Sequence, residues 1–272
     1  MLPRPKKALG QNFLTDRGIL DRIVAAVAIA PGDRILEVGP GRGALTRILA
    51  ESAAAVLAIE LDRQLVALLS EEFSGTEKVE VVQADILRLD LDELLQGRDG
   101  DRWKVAANLP YNISSQVMFK FLDHRKLFRR LVLMLQREVG ERLVAGPGTK
   151  DYGILSVLFQ IYFDIRKEFI VKPGAFYPVP KVDSIVLSFE PLPEPRFPVS
   201  DEQLFRQLVK SAFAQRRKTL WNCLKGGGFA PSDDRLRDIL TGCGIEPSRR
   251  GETLTLKEFA LLAESIYMGR TG

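Results

Sequence analysis

The stretch Arg34-Ile35-Leu36-Glu37-Val38-Gly39-Pro40-Gly41-Arg42-Gly43-Ala44 decides the fold class of this chain. Its first five residues are mainly apolar and predict a buried strand, three glycines follow at alternate positions, and residues 44–52 have the apolar spacing of a helix. Glycines between a strand and a helix let the backbone approach a ligand closely. The stretch therefore predicts the first strand, turn and helix of an open α/β sheet that binds a nucleotide-like ligand.

Strands and helices alternate along most of the chain. We predict strands at 34–38, 55–59, 79–82, 103–107 and 131–135, with 161–171 and 184–190 as a closing pair. Helices are predicted at 19–28, 44–52, 63–73 (capped by Asp62), 91–95 and 137–145, and from Ser114 or Ser115 onward. A polar loop is expected before the fourth strand. This alternation favours an α/β fold with a Rossmann-like, doubly wound parallel sheet.

A proline-rich segment, Pro191-Leu192-Pro193-Glu194-Pro195, predicts a stiff linker and a domain boundary. Residues 1–190 would form the ligand-binding α/β domain. Residues 191–272 would form a small all-helical domain, with helices at 201–213, 219–224, 232–242 and 256–267. Residues 1–195 carry 26 Lys and Arg and 26 Asp and Glu, whereas residues 196–272 carry 13 and 9. The basic C-terminal part therefore predicts a polyanionic partner.

The composition excludes several classes of protein. The chain has 272 residues, 46% hydrophobic and 27% charged, as in a globular protein with a core. No apolar run approaches about 20 residues and none follows the basic N-terminus, so we expect neither a membrane span nor a signal peptide. Two isolated cysteines, Cys223 and Cys243, predict free thiols in a reducing compartment and favour the cytoplasm. Because His124 is the only histidine, we expect no metal site and no His-dependent triad.

Two acidic residues follow the next two predicted strands. Glu60 ends the second strand, and Asp85 comes directly after the third. The carboxyl ends of parallel strands meet at one edge of the sheet, where open α/β folds bind ligands. Glu60 is placed to bind a ribose diol, and Asp85 can accept from an adenine amine. The glycine spacing also fits the dinucleotide pattern G-x-G-x-x-[GA], so both a nicotinamide cofactor and S-adenosylmethionine remain open.

The fourth strand runs into Asn108-Leu109-Pro110-Tyr111, which offers the groups needed to bind the amine of a flat aromatic base. The Asn108 side-chain oxygen can accept one hydrogen bond from the amine. A backbone carbonyl fixed by Pro110, most simply that of Leu109, can accept the second. The Tyr111 ring can stack on the base. The alternative interpretation is ordinary turn chemistry after a strand.

Several segments occur in the order found in one family. They are Gly10-Gln11-Asn12-Phe13-Leu14, Glu37-Val38-Gly39-Pro40-Gly41-Arg42-Gly43, Glu60, Asp85, Asn108-Leu109-Pro110-Tyr111 and Phe176-Tyr177-Pro178-Val179-Pro180-Lys181-Val182-Asp183-Ser184. The chain resembles the rRNA adenine dimethyltransferases, and most closely the kasugamycin-resistance group that modifies two adjacent adenosines of small-subunit rRNA. The resemblance implies an S-adenosylmethionine-dependent enzyme with a role in ribosome biogenesis. It would act in the cytoplasm as a monomer, on small-subunit rRNA within a ribosomal subunit or its precursor.

The resemblance also implies roles for individual residues. The expected cofactor-binding residues are Asn12, Leu14, Gly39, Gly41, Glu60, Asp85 and Asn108. The expected catalytic residues are Asn108, Leu109, Tyr111 and Phe176. Asn108 would lie between the cofactor and the target amine. Phe176 would stack on the target adenine opposite Tyr111.

A basic triplet, Arg216, Arg217 and Lys218, is predicted to bind RNA phosphates. Guanidinium groups suit phosphate oxygens, and an apolar helical face before the triplet should pack inward. The alternative is that Arg216 or Arg217 pairs with an acidic residue of the large domain and fixes the angle between the domains.

Three other functions remain open. A macrolide-resistance type enzyme would perform the same chemistry on a large-subunit rRNA adenine, but 213–220 and 250–254 resemble the small-subunit group. A non-enzymatic RNA-binding or assembly factor could keep the fold, although the intact tetrapeptide and strand-end residues count against that as the sole role. A nicotinamide oxidoreductase would leave the segment 10–14 unexplained.

Overall fold

The computed structural model describes residues 3–95 and 103–271, and the polar loop predicted before the fourth strand lies outside these residues. The chain divides into two compact units. The first unit comprises Met1–Gly140 and Ile165–Pro191, and the second comprises Glu141–Asp164 and Leu192–Gly272.

A seven-stranded mixed sheet forms the centre of the first unit. The strands of the chain are β1 Phe13–Leu14, β2 Arg34–Val38, β3 Ala55–Glu60, β4 Val79–Gln83, β5 Trp103–Asn108, β6 Phe128–Gln136, β7 Phe163–Val171, β8 Phe176–Tyr177 and β9 Ser184–Pro191. The large sheet has the order β4-β3-β2-β5-β6-β9-β7, and β1 pairs separately with β8. Strands β4, β3, β2, β5 and β6 are parallel, whereas β9 runs antiparallel to β6. The predicted doubly wound α/β sheet is confirmed, with one antiparallel strand in the closing pair.

Helices follow the strands at nearly the predicted positions. They are α1 Arg17–Val27, α2 Ala44–Ser52, α3 Arg63–Glu72, α4 Leu91–Leu95, α5 Ser114–Asp123, α6 Arg137–Leu143, α7 Ile154–Gln160, α8 Glu202–Ala212, α9 Leu220–Leu224, α10 Asp233–Gly242 and α11 Leu256–Thr271. The Asp62 side chain accepts from the Gln64 N–H, which confirms the predicted cap of α3. No sequence prediction corresponds to α7 or to the pair β1 and β8.

The order of the strands determines where a ligand can bind. Strands β2 and β5 are neighbours although two strands lie between them in the sequence, and Val38 is paired with Ala107. Their carboxyl ends therefore place the glycine turn beside Asn108. In open α/β sheets such a switch point is where ligands bind. One core cluster beside the sheet joins residues of α1 and α2 to Leu14, Phe176 and several strand residues, all buried.

The second unit contains α7 to α11 and includes a segment that the sequence interpretation places in the first domain. Residues 141–164 belong to this helical unit because their side chains pack and bond there. The Tyr152 hydroxyl donates to the Leu254 carbonyl at 2.9 Å, and its ring contacts that of Phe213 edge-on at 6.0 Å. The predicted domain of 1–190 therefore differs from the first unit in residues 141–164. The predicted boundary lies just before Pro191, and the boundary between the units lies just after it.

No helix within the described residues is both long and apolar enough to cross a membrane.

Candidate active site

A cavity of about 460 Å³ opens at the carboxyl ends of β2 to β5 in the first unit. Its size is in the range of small-molecule sites. The residues predicted to bind cofactor or target that line it are Asn12, Leu14, Gly39, Gly41, Glu60, Asp85, Asn108, Leu109 and Tyr111. The structure therefore brings together, in one cavity, residues that the sequence spreads over about 100 positions.

The glycine turn and Glu60 are bonded to each other. Gly41 has a φ of +60° and Gly39 a φ of +72°, values that residues other than glycine rarely adopt. The Gly41 N–H donates to Glu60 Oε2 at 3.2 Å, and the Asp62 N–H donates to Oε1 at 2.9 Å. Burial raises the pKa of the Glu60 carboxyl. A carboxylate offers about four lone-pair sites, so Glu60 can hold the turn and still accept a ligand hydroxyl.

Glu37 lies in the same cavity and has no assigned role in the sequence prediction. Its Oε2 atom is buried and has no hydrogen-bond partner among the described residues. Burial raises the pKa of this carboxyl to about 8, and the nearby Glu60 charge acts in the same direction. A carboxyl residue between Leu36 and Val38, within the apolar part of the strand, is the sequence signal that could have identified it. The unpaired oxygen is available to a polar or cationic ligand group.

Asp85 bonds to residues of its own turn and also lines the cavity. Its Oδ1 atom accepts from the Leu87 N–H at 3.0 Å, and its Oδ2 atom lies 3.6 Å from Arg88 Nε. Both partners are close in sequence, so Asp85 stabilises the turn after β4. Its side chain also lines the cavity.

The amide of Asn108 is oriented by the N-terminal segment. Its Nδ2 atom donates to the Asn12 carbonyl at 3.1 Å. The side-chain Nδ2 atom of Asn12 in turn donates to the Gly10 carbonyl at 3.2 Å. Within the described residues Oδ1 of Asn108 has no partner, and it is therefore the acceptor that a ligand can use.

The carbonyl of Leu109 is the second acceptor of the tetrapeptide that remains available. The Pro110 carbonyl accepts from the Ile113 N–H at 3.2 Å, and the Tyr111 carbonyl accepts from the Ser114 hydroxyl at 3.2 Å. No hydrogen bond from the described part of the chain reaches the Leu109 carbonyl. The tetrapeptide therefore offers one side-chain and one backbone acceptor for an amine with two protons.

The Tyr111 ring is fixed at its hydroxyl end. Its Oη atom lies 2.7 Å from Oγ of Ser184, a buried residue at the start of β9. Burial raises the pKa of the Tyr111 phenol, so the hydroxyl stays neutral in the physiological range. Ser184 has no predicted role, because only the folded sheet brings it next to Tyr111.

The Phe176 side chain is buried, and its stacking role stays a prediction. Its side chain is 2% exposed and belongs to the core cluster, and it is not among the residues that line the cavity. The reason is its strand position: Phe176 is paired with Leu14, and both side chains point into the core. Tyr177, the next residue, is 55% exposed.

The N-terminal segment is attached to the cavity by contacts that no prediction includes. Lys6 Nζ lies 2.6 Å from Asp62 Oδ1, and Gln11 Nε2 donates to Asp62 Oδ2 at 3.1 Å. Burial acts to raise the pKa of Asp62, but the bonds from Lys6 and Gln11 hold it below its ordinary value. The Phe13 ring lies against the glycine turn, where a Cβ added to Gly41 would be 2.9 Å from Phe13 Cδ1.

The basic triplet lies in the second unit and its members differ. Arg216 Nε donates to Glu252 Oε2 at 3.0 Å, and Nη2 donates to the Lys150 carbonyl. Both partners belong to the second unit, not to the first. The side chains of Arg217 and Lys218 are exposed and make no ion pair or hydrogen bond within the described residues. Arg217 and Lys218 are therefore the members available to a partner.

Residues 3–95 and 103–271 contain no group of three or more His, Cys, Asp or Glu side chains that could hold a metal. His124 bonds Asp92 Oδ2 through Nδ1 at 2.8 Å and does not line the cavity.

The sequence profile described as ribosomal RNA adenine dimethylase matches residues 3–260. The chain belongs to this family. A dimethylase relative from Geobacter metallireducens, ribosomal RNA small subunit methyltransferase A, is 62% identical over 263 residues, which cover 97% of this chain and 96% of the relative. The predicted family and enzyme class are therefore confirmed.

Two solved structures are similar to this dimethylase over most of its length. A dimethyladenosine transferase from Plasmodium falciparum superposes with a TM-score of 0.84 at 26% identity, over 95% of this chain and 98% of that one. The 23S rRNA methyltransferase ErmE gives 0.70 at 26% identity, over 94% and 100%. The α/β methyltransferase fold followed by a helical region is thus shared with both.

Proposed function

We propose that this chain uses S-adenosylmethionine to dimethylate the exocyclic amines of two adjacent adenosines in small-subunit rRNA, with a role in ribosome biogenesis in the cytoplasm. The observation that carries the proposal is the pair of available acceptors, Asn108 Oδ1 and the Leu109 carbonyl, beside an acidic, glycine-lined cavity. Membership of the adenine dimethylase family supports the same chemistry.

The cavity residues fit this cofactor. Glu60 and Asp85 provide carboxylate acceptors for the hydroxyls and amine of an adenosine, and Gly39 and Gly41 leave room for its close approach. The unpaired Glu37 oxygen can form a hydrogen bond with a polar group of the cofactor. When bound, S-adenosylmethionine supplies an electrophilic methyl group.

The chain's own contribution to catalysis is orientation. An adenine amine is a weak nucleophile because its lone pair is delocalised into the ring. Hydrogen bonds from its two protons to Asn108 Oδ1 and the Leu109 carbonyl favour a pyramidal nitrogen and fix its direction of attack. We assign stacking on the base to the Tyr111 ring, whose hydroxyl is bonded to Ser184. The methylated amine is acidic enough to lose its proton to water, so the cavity needs no dedicated base.

Small-subunit rRNA is the substrate that the similarities support best. The relative named for the small subunit is 62% identical, whereas the 23S enzyme is 26% identical. We assign cofactor and target binding to the first unit. RNA phosphate contacts are assigned to Arg217 and Lys218 of the second unit, acting on RNA within a subunit or its precursor.

Single-turnover methylation tests the role of Asn108. With cofactor and unmodified small subunits both saturating, Asn108→Ala should slow methyl transfer at least about 100-fold, because it removes a hydrogen bond to the reacting amine. Affinity for the subunit should change little, since phosphate contacts supply most of it. Asp21→Ala, an exposed residue on α1, is the control. A near wild-type rate for Asn108→Ala would exclude this site as the methylation site.

A further inference from the structure

The two-residue strands β1 and β8 form a ribbon with two different faces. Phe13 is opposite Tyr177, and Leu14 is opposite Phe176. Side chains alternate between the faces of a strand. Leu14 and Phe176 occupy the buried face in the core cluster. Phe13 and Tyr177 therefore share the other face.

Arg42 lies on the face that carries Phe13 and Tyr177. Its guanidinium carbon is 4.6 Å from the Phe13 ring centre and 5.8 Å from the Tyr177 ring centre. Its Nη2 atom donates to the Pro3 carbonyl at 2.7 Å, and its Nε atom is buried without a hydrogen-bond partner among the described residues. Arg42 and Phe13 both line the cavity. The ring–guanidinium–ring arrangement therefore extends the cavity wall outward to Tyr177.

Tyr177 begins an exposed apolar segment. Its side chain is 55% exposed, Val179 is 65% exposed and Val182 is 44% exposed. A largely exposed aromatic ring beside a guanidinium is the kind of platform on which unpaired bases stack in a sequence-tolerant way.

We propose that Tyr177, with Arg42, forms a second nucleotide subsite that stacks the unpaired base next to the target adenosine. This inference rests on the proposed function, because a substrate with two adjacent adenosines must place one of them outside the cavity while the other reacts. The cavity wall is continuous with Tyr177 through Arg42, so a base beside the target meets this ring first. The guanidinium also gives the subsite a positive charge that suits the RNA backbone.

The test compares Tyr177→Leu with Tyr177→Phe, using unmodified small subunits as substrate. Tyr177→Leu should raise KM for the subunit by about 5-fold to 150-fold, the range expected when stacking on one base is lost. Tyr177→Phe keeps the ring and should stay within about twofold of the wild type. Met268→Ala, which removes a 61% exposed side chain from the second unit, is the control for lost surface apolarity.

Two further readouts separate stacking from a structural role. S-adenosylhomocysteine affinity and melting temperature should be unchanged in both Tyr177 variants. The subsite would be overturned if Tyr177→Leu lost S-adenosylhomocysteine affinity and thermal stability as strongly as it lost subunit affinity. A wild-type KM would also overturn it. Weaker binding of intact subunits with unchanged binding of protein-free RNA would assign the ring to a ribosomal protein and also overturn it. A wild-type chain that transfers no methyl group would instead remove the proposed function itself.

Discussion

Replacing Glu60 by alanine should weaken the fold and the cofactor site together, by amounts that can be worked out from its contacts. The carboxylate accepts from the Gly41 N–H at 3.2 Å and from the Asp62 N–H at 2.9 Å, and it is 7% exposed. A buried donor left unsatisfied costs about 1–3 kcal/mol. Burial of the carboxyl has a free-energy cost, which also raises its pKa. Replacement by alanine removes this cost, and the gain offsets part of the loss.

The expected net loss for Glu60→Ala is therefore about 2 kcal/mol in the free energy of unfolding. In a chain of this size it corresponds to a fall of about 4–8 °C in melting temperature. Glu60→Gln retains one acceptor and should lose about half as much. Loss of a charged acceptor for a ligand hydroxyl should weaken S-adenosylhomocysteine binding by about 1.5–3 kcal/mol in the alanine variant, or roughly 10-fold to 150-fold.

Calorimetric titration with S-adenosylhomocysteine and thermal unfolding of the ligand-free chain measure the two effects separately. Asp21→Ala is the matched control, because this carboxylate is exposed and, among the described residues, bonds only to Arg17 one helical turn away. It should change the melting temperature by less than about 2 °C and leave the affinity unchanged. A dissociation constant within twofold of wild type in Glu60→Ala would refute the ligand contact. An unchanged melting temperature would refute the structural one.

Three other changes have expected outcomes. Phe176→Trp should lower the melting temperature by overpacking the core, at a cost of about 1–3 kcal/mol, and an unchanged value would place the ring outside the core. The free energy of unfolding should fall as pH rises from about 4.5 to about 8, because the raised pKa of Glu37 means that the folded chain binds more protons in this range than the unfolded chain. Urea titrations at several pH values should show a flatter pH dependence in Glu37→Gln. Joint replacement of Arg217 and Lys218 by Gln should lower the slope of log subunit affinity against log salt concentration by about 1.4–1.8, without changing the melting temperature. Arg216→Gln should lower the melting temperature, because among the three only Arg216 has side-chain partners within the described residues.

Much of the sheet and the cavity could be predicted because both depend on local signals. Apolar runs between turn residues mark the strands, and residues after parallel strands necessarily meet at one edge. This rule predicts that Gly39, Glu60 and Asp85 meet, the family resemblance adds Asn108, and all four line the cavity.

Other features depend on contacts between distant segments and have no local signal. The burial of Phe176 follows from its pairing with Leu14, which lies more than 150 positions earlier. Ser184 acquires a role only when β9 brings it to Tyr111. The segment around Tyr152 has no predicted helix or strand, and its bond to Leu254 lies within the second unit.

Mapping of methyl groups on small-subunit rRNA tests the central claim most directly. Small subunits that lack the modification would be incubated with the chain and labelled S-adenosylmethionine, and the RNA would then be digested and its nucleosides identified and located. The proposed chemistry predicts two methyl groups on the exocyclic amine of each of two adjacent adenosines, and none on large-subunit RNA treated in parallel. Label on a large-subunit adenosine, on any ring nitrogen, or on no nucleoside would contradict it.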